Sequence, residues 1–157
     1  MSKKTPKFYR WQRSFWRQEK IKNVIQEGPT AFMVATYLLT SPRGNMAGLY
    51  ECPKTSIQKA LFLSEDEVSQ AMTTLMQMSF IKYDDDCEYV WVLSQAEDEL
   101  GETPSVQQII GILNLVDRLE VDELAPFTDD LRSLILGNPA YHKKLELSEQ
   151  LKESGAV

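Results

Sequence analysis

The stretch PKTSIQKALFLSEDEVSQAMTTLMQMSFIKYDDDCEYVWV, Pro53 to Val92, decides the fold. Pro53 suits a first helical position, where its missing N–H costs nothing. Ser64 followed three residues later by Glu67 is the signature of a capping box, so a second helix starts there. From Val68 the apolar residues recur at Ala71, Met72, Leu75 and Met76, the spacing of one buried helical face. Ser69, Gln70, Thr73, Thr74 and Gln77 fall on the opposite face. Phe80, Ile81 and Tyr83 then lead into a turn at Asp84 to Asp86, and Tyr89 to Val92 return as the second strand of a hairpin.

Two short helices joined by a tight turn and followed by a hairpin make the order of a winged helix-turn-helix. The expected fold class is α+β, mostly α: a winged helix-turn-helix with a helical C-terminal extension. Upstream, Gly28 and Pro29 break the chain and start a helix in which Ala31, Phe32, Val34, Ala35, Leu38 and Leu39 leave almost no polar face. Such a helix has to be covered on several sides, which places it at the centre of the core. Ser41 and Pro42 end it, and SPRGNMAGLYECP (41–53) reads as a loop entering a short strand.

The segment KFYRWQRSFWRQEKIKNVI (7–25) interleaves aromatic and basic residues. Tyr9, Trp11 and Phe15 with Arg10, Arg13 and Arg17 predict a strand with alternating faces, passing into a short amphipathic helix through Ile21, Val24 and Ile25. Two uses fit this interleaving. Aromatics stack on bases while guanidinium groups neutralise phosphates; alternatively, the strand pins its aromatics into the core and leaves the arginines solvated.

The net charge of −6 is unevenly spread. Residues 1–27 carry eight Lys or Arg against Glu19 and Glu27, a net +6; residues 28–52 are neutral, 53–93 carry −4 and the remainder −8. A basic segment on an acidic body points to two different partner surfaces. The 157 residues, 43% of them hydrophobic, suffice for one domain or a small domain with an appendage. No apolar run approaches the roughly 18 residues of a membrane span, and no apolar signal segment follows the charged N-terminus. Cys52 and Cys87 are too few for a disulfide framework, so the expected location is the cytoplasm.

After the hairpin, SQAEDELGETPS (94–105) reads as an acidic linker closed by Thr103 and Pro104. The expected division is 1–93 for the winged helix with its basic N-terminal segment, 94–104 for the linker and 105–157 for the helical extension. Val106, Ile109, Ile110, Leu113, Val116 and Leu119, widened by Ile112 and Leu115, form an apolar stripe that calls for burial against the body or a second chain. Pro126 interrupts, Leu131, Leu134 and Ile135 make a short helix stopped by Gly137, Asn138 and Pro139, and a last helix runs from Ala140 past Leu145 and Leu151.

Catalytic signals are weak. His142 is the single histidine and sits beside Lys143 and Lys144, without cysteine or carboxylate at ligand spacing. Asp84 to Asp86 lack the spaced ligand series and fixed glycine of a calcium loop, and there is no Walker motif. No enzyme activity, cofactor or metal is expected.

The run YLLTSPRGNMAGLYECP (37–53), followed by the helix-turn-helix, by FIKYDDD and by VWV, resembles the N-terminal winged-helix domain of phage replisome-organiser proteins, which are similar to the bacterial primosome component DnaD. Leu38 to Pro42, Gly48 to Tyr50 and Val90 to Val92 carry the likeness, with Phe15 and Trp16 in the opening segment, and it spans about residues 8–93. The resemblance implies a non-catalytic role in phage-type replication initiation, opening or marking an origin and helping to recruit the replicative helicase. It implies DNA and a replicative helicase or its loader as partners, in the host cytoplasm if the chain is phage-encoded; residues 105–136 are a possible homo-oligomer surface.

The chain departs from that pattern in two places. Phe62 stands where the turn between the helices often has glycine, and the second helix opens with Glu65, Asp66 and Glu67 and contains no Lys or Arg. Acids suit the positive end of the helix dipole, yet they repel phosphates where such helices approach DNA. Neutral Gln70, Thr73, Thr74 and Gln77 retain the chemistry to read base edges. The expected DNA site therefore draws its affinity from Arg10, Arg13, Arg17, Arg43, Lys54, Lys59 and Lys82. Two alternatives stay open: a winged-helix transcriptional regulator binding a palindrome as a dimer, and an acidic protein-interaction module that binds no DNA.

Overall fold

The computed structural model describes residues 11–119 and 124–155. The fold is α+β and mostly helical, with one three-stranded antiparallel sheet. The chain divides into two compact units, Met1–Leu93 and Ser94–Val157.

In the first unit a 3-10 turn, Arg13–Arg17, leads into α1 (Glu19–Gln26) and α2 (Pro29–Thr40). β1 (Leu49–Glu51), α3 (Lys54–Leu61), α4 (Glu65–Gln77), β2 (Ile81–Asp84) and β3 (Tyr89–Val92) follow. Gly28 caps α2 at φ 111°, a left-handed conformation that a side chain would strain, and Pro29 then opens the helix. α2 is the centre of the core. Its Val34, Ala35 and Leu38 are buried with Ile21 and Val24 of α1, Ile57 of α3, Val68, Met72 and Leu75 of α4, and Val90 and Val92 of β3. Each of these Val, Leu, Ile and Met side chains contributes about 1.5–3 kcal/mol when fully buried. The Tyr50 hydroxyl donates to the Leu38 carbonyl, satisfying one open acceptor of the last α2 turn and tying β1 to it.

α4 starts as its sequence prescribes. The Glu67 N–H donates to Ser64 Oγ at 3.2 Å and the Ser64 N–H donates to Glu67 Oε2 at 2.8 Å, so two otherwise open donors are satisfied reciprocally. Val68, Ala71, Met72 and Leu75 form its buried face. In the sheet β3 lies between β1 and β2, with Leu49 opposite Trp91 on one side and Ile81 opposite Val92 on the other.

Three local expectations need correction. Residues 13–17 form a 3-10 turn, not a strand: Phe15 N–H donates to the Gln12 carbonyl and Gln18 N–H to the Phe15 carbonyl, so local bonds take the groups a ladder would use. The alternation proposed for Tyr9 and Arg10 lies outside the described residues. Pro53 is the residue before α3, extended at ψ 137°, and the helix begins at Lys54. The hairpin turn falls at residues 85–88, one step later than read, because Asp84 still pairs with Tyr89 and its carboxylate accepts from Cys87 N–H at 2.8 Å.

The second unit holds α5 (Gln95–Leu100), α6 (Val106–Asp117), α7 (Ala125–Leu136) and α8 (Pro139–Glu153). The stretch read as an acidic linker thus contains a helix. Ala96 and Leu100, one turn apart, are its buried face, and Gln95 donates to Glu99 at 3.1 Å. Ser105 and Gln108 form a second capping box at the start of α6. Pro126 sits in the first turn of α7, so it opens that helix where it was read as an interruption. Ile109, Ile112 and Val116 of the α6 stripe are buried where α6 packs on α7 and α8. The Tyr141 hydroxyl donates to the Gly101 carbonyl at 2.7 Å and the Lys144 ammonium to the Pro104 carbonyl. Among the described residues no helix is long and apolar enough to cross a membrane.

Candidate nucleic-acid interface

The residues expected to contact DNA divide by what else they do. Arg43 Nη1 lies 3.6 Å from Glu51 Oε2 on β1. Lys54 Nζ lies 2.5 Å from Asp85 Oδ1 and 5.2 Å from the centre of the Tyr83 ring. Lys82 Nζ stands 5.1 Å over the Trp91 ring. These three cations are engaged in the fold. Arg13, Arg17 and Lys59 are exposed, and among the described residues they form no ion pair. Arg10 lies outside the described residues.

The outer side of α4 is acidic or neutral throughout. Asp66, Gln70, Thr73 and Gln77 are all exposed at spacings of four, three and four, a single stripe along the helix. Gln70 and Thr74 also line a shallow cleft of about 200 Å³ with Glu27, Thr30 and Glu67. Hydrogen bonds from Ser64 hold the Glu67 carboxyl below the usual glutamate range, which keeps this end of the helix negative. The Thr73 hydroxyl donates back to the Ser69 carbonyl at 2.9 Å. The structure therefore does not bring the α4 residues together with unpaired cations from their own helix.

A different surface combines aromatics with positive charge. Phe15 is 3% exposed and anchors the 3-10 turn, whereas Trp11 and Trp16 on either side are 47% and 57% exposed. Trp11 meets Phe15 edge-on at a centroid distance of 4.3 Å, Trp16 meets it at 5.4 Å, and Trp16 lies 5.7 Å from Phe32 of α2. One buried ring thus positions two exposed indoles on a segment that also carries exposed Arg13 and Arg17. The aromatics of the interleaved segment divide by residue: Phe15 is buried in the core, and the two tryptophans stay at the surface.

Trp11 was weighed for stacking only together with Tyr9 and Phe15, and Trp16 was not weighed for it. The strand reading put Trp11 and Phe15 on one face, so both would have been buried together. A tight turn separates them. The available signal was crowding, because three large rings within six residues exceed what one short segment can bury.

The single histidine, His142, was expected to have no carboxylate at ligand spacing, but Glu146 lies one helical turn on, its Oε1 3.2 Å from His142 Nε2 on the exposed surface of α8. Among the described residues no group of three or more His, Cys, Asp or Glu is gathered to hold a metal ion. Compared with protein-family models, curated proteins and solved structures, the chain matches none.

Proposed function

We propose that this chain is a non-catalytic DNA-binding protein of phage-type replication initiation, a replisome organiser or helicase-loading accessory, built on a winged helix-turn-helix. In that reading α3 and α4 are the helix-turn-helix, the β2–β3 hairpin is the wing, and the 3-10 turn supplies the main nucleic-acid contact. The observation that carries it is the pair of exposed tryptophans beside exposed, unpaired Arg13 and Arg17 on a turn anchored by Phe15. Indoles offer stacking platforms to any base, and guanidinium groups neutralise phosphates. The second unit, acidic and helical, is assigned to the replication partner, a replicative helicase or its loader, or to a sister subunit through residues 105–136.

The acidic outer stripe of α4 favours a second reading, in which the helix-turn-helix face binds protein and the chain binds no DNA. Fluorescence anisotropy with duplex and single-stranded DNA across salt concentrations separates the two. DNA binding with a steep salt dependence is expected, with the slope reduced by about 2 when Arg13 and Arg17 are both reversed to Glu. Affinity unchanged in that variant at low salt removes the proposed contact, and absence of binding by the native chain at low salt removes DNA binding altogether.

A further inference from the structure

Phe62 is the most exposed large apolar side chain among the described residues, at 95%. It sits at the C-terminal cap of α3 in the left-handed conformation, φ 55° and ψ 40°, with its N–H donated to the Gln58 carbonyl. That position normally takes glycine, because a side chain there crowds the backbone. A phenylalanine is therefore unfavourable for the conformation and, being uncovered, returns nothing to the core. Its neighbours Leu61 and Leu63 pack against the core, so the ring is held outward from a fixed turn. Local strain combined with an uncovered aromatic marks a position shaped by something other than folding.

The surroundings say what fits it. Glu65 and Asp66 follow within four residues, both exposed, and among the described residues neither has an ion pair. Lys59, in the last turn of α3 that Phe62 caps, is an exposed cation close in sequence, while α4 carries none and shows Asp66, Gln70, Thr73 and Gln77. Three carboxylates at Glu65, Asp66 and Glu67 outnumber Lys59, so the patch is net negative and disfavours phosphates, whereas a protein surface with Lys or Arg around an apolar pocket is complementary in both shape and charge. A single rigid aromatic entering such a pocket is the usual form of an interface anchor.

We propose that Phe62 anchors a protein–protein interface, inserting into an apolar pocket of a partner protein whose rim carries Lys or Arg facing Glu65 and Asp66. This surface shares no residue with the DNA contact assigned to the 3-10 turn.

The test pans the full chain against a phage-displayed random peptide library and measures the selected peptides by calorimetry on the native chain, Phe62→Gly and the pair Glu65→Lys with Asp66→Lys. Enrichment of apolar sequences flanked by Lys or Arg is expected, with binding at least tenfold weaker to either variant. Phe62→Gly is expected to melt at or above the native temperature, since glycine relieves the turn, so lost binding is not lost folding. The proposal is overturned if no such sequences are enriched, if acidic ones are, or if the selected peptides bind Phe62→Gly as well as the native chain. A loss of DNA affinity in Phe62→Gly with peptide binding intact would assign the ring to nucleic acid instead. A concentration-dependent mass that Phe62→Gly abolishes would assign it to a second copy of the chain.

Discussion

The ammonium of Lys54 lies 2.5 Å from Asp85 Oδ1 and over the Tyr83 ring, which clamps the first turn of α3 to the hairpin. Tyr83 strengthens the same junction by donating to the Cys52 carbonyl at 3.1 Å. Lys54 is thus occupied by the fold and is a poor source of phosphate contact. Lys54→Gln is expected to lower stability by up to about 1 kcal/mol, the scale of a partly exposed pair. DNA affinity should stay within about twofold of native; a fall as large as that of the Arg13 and Arg17 variant would restore Lys54 to the DNA site.

Trp16 is expected to stack on a base, and Trp16→Ala should weaken single-stranded DNA binding by about 1–3 kcal/mol. The chain has three tryptophans, of which Trp91 is buried and Trp11 and Trp16 are exposed. DNA should therefore quench the emission of the two exposed indoles. A variant with both changed to Phe should lose the quenching; its persistence would place the nucleic acid elsewhere.

The capping box gives α4 a dependence on pH. Ser64→Ala should cost about 1 kcal/mol, measured by urea denaturation at pH 7. The Glu67 carboxyl is held below its usual range by the Ser64 backbone and side chain. A lowered folded value means that its contribution is complete above the ordinary glutamate range and is lost as pH falls through the depressed value. Glu67→Gln should accordingly flatten the acid limb of stability against pH. An unchanged acid limb would show that Glu67 does not couple to folding.

The two thiols should be chemically distinct. Cys52 is buried, and desolvation pushes its thiol up to about 11, while Cys87 is half-buried in the hairpin turn. A thiol reagent at pH 8 is expected to modify one cysteine in the native chain and the second only in denaturant. Equal rates for both would show that the β1 end of the sheet opens readily.

Much of the first unit was legible because its signals are local. Ser64 with Glu67, the apolar spacing from Val68 to Met76, and Gly28 with Pro29 each specify a helix end or face within a few residues. The turn at Arg13–Arg17 was misread because its ring spacing fits a strand, and only the packing around Phe15 separates the two. α5 escaped because six residues span less than two turns, so Ala96 and Leu100 are too few to show a period. The candidate site was half legible: the basic segment was recognised, but charge alone did not show that Arg43 and Lys54 would be drawn into ion pairs within the fold.

The bonds from Tyr141 to Gly101 and from Lys144 to Pro104 each join residues 40 positions apart. They set an order of events on the ribosome. The strands and helices of the first unit are all present once Leu93 has been released, so that unit is free to fold while synthesis continues. The second unit has to wait for the start of α8 before its first loop can be fastened. A chain stalled or cut before Tyr141 would carry a finished first unit and an unfastened second one, with the apolar side chains of α6 and α7 open to chaperones and proteases.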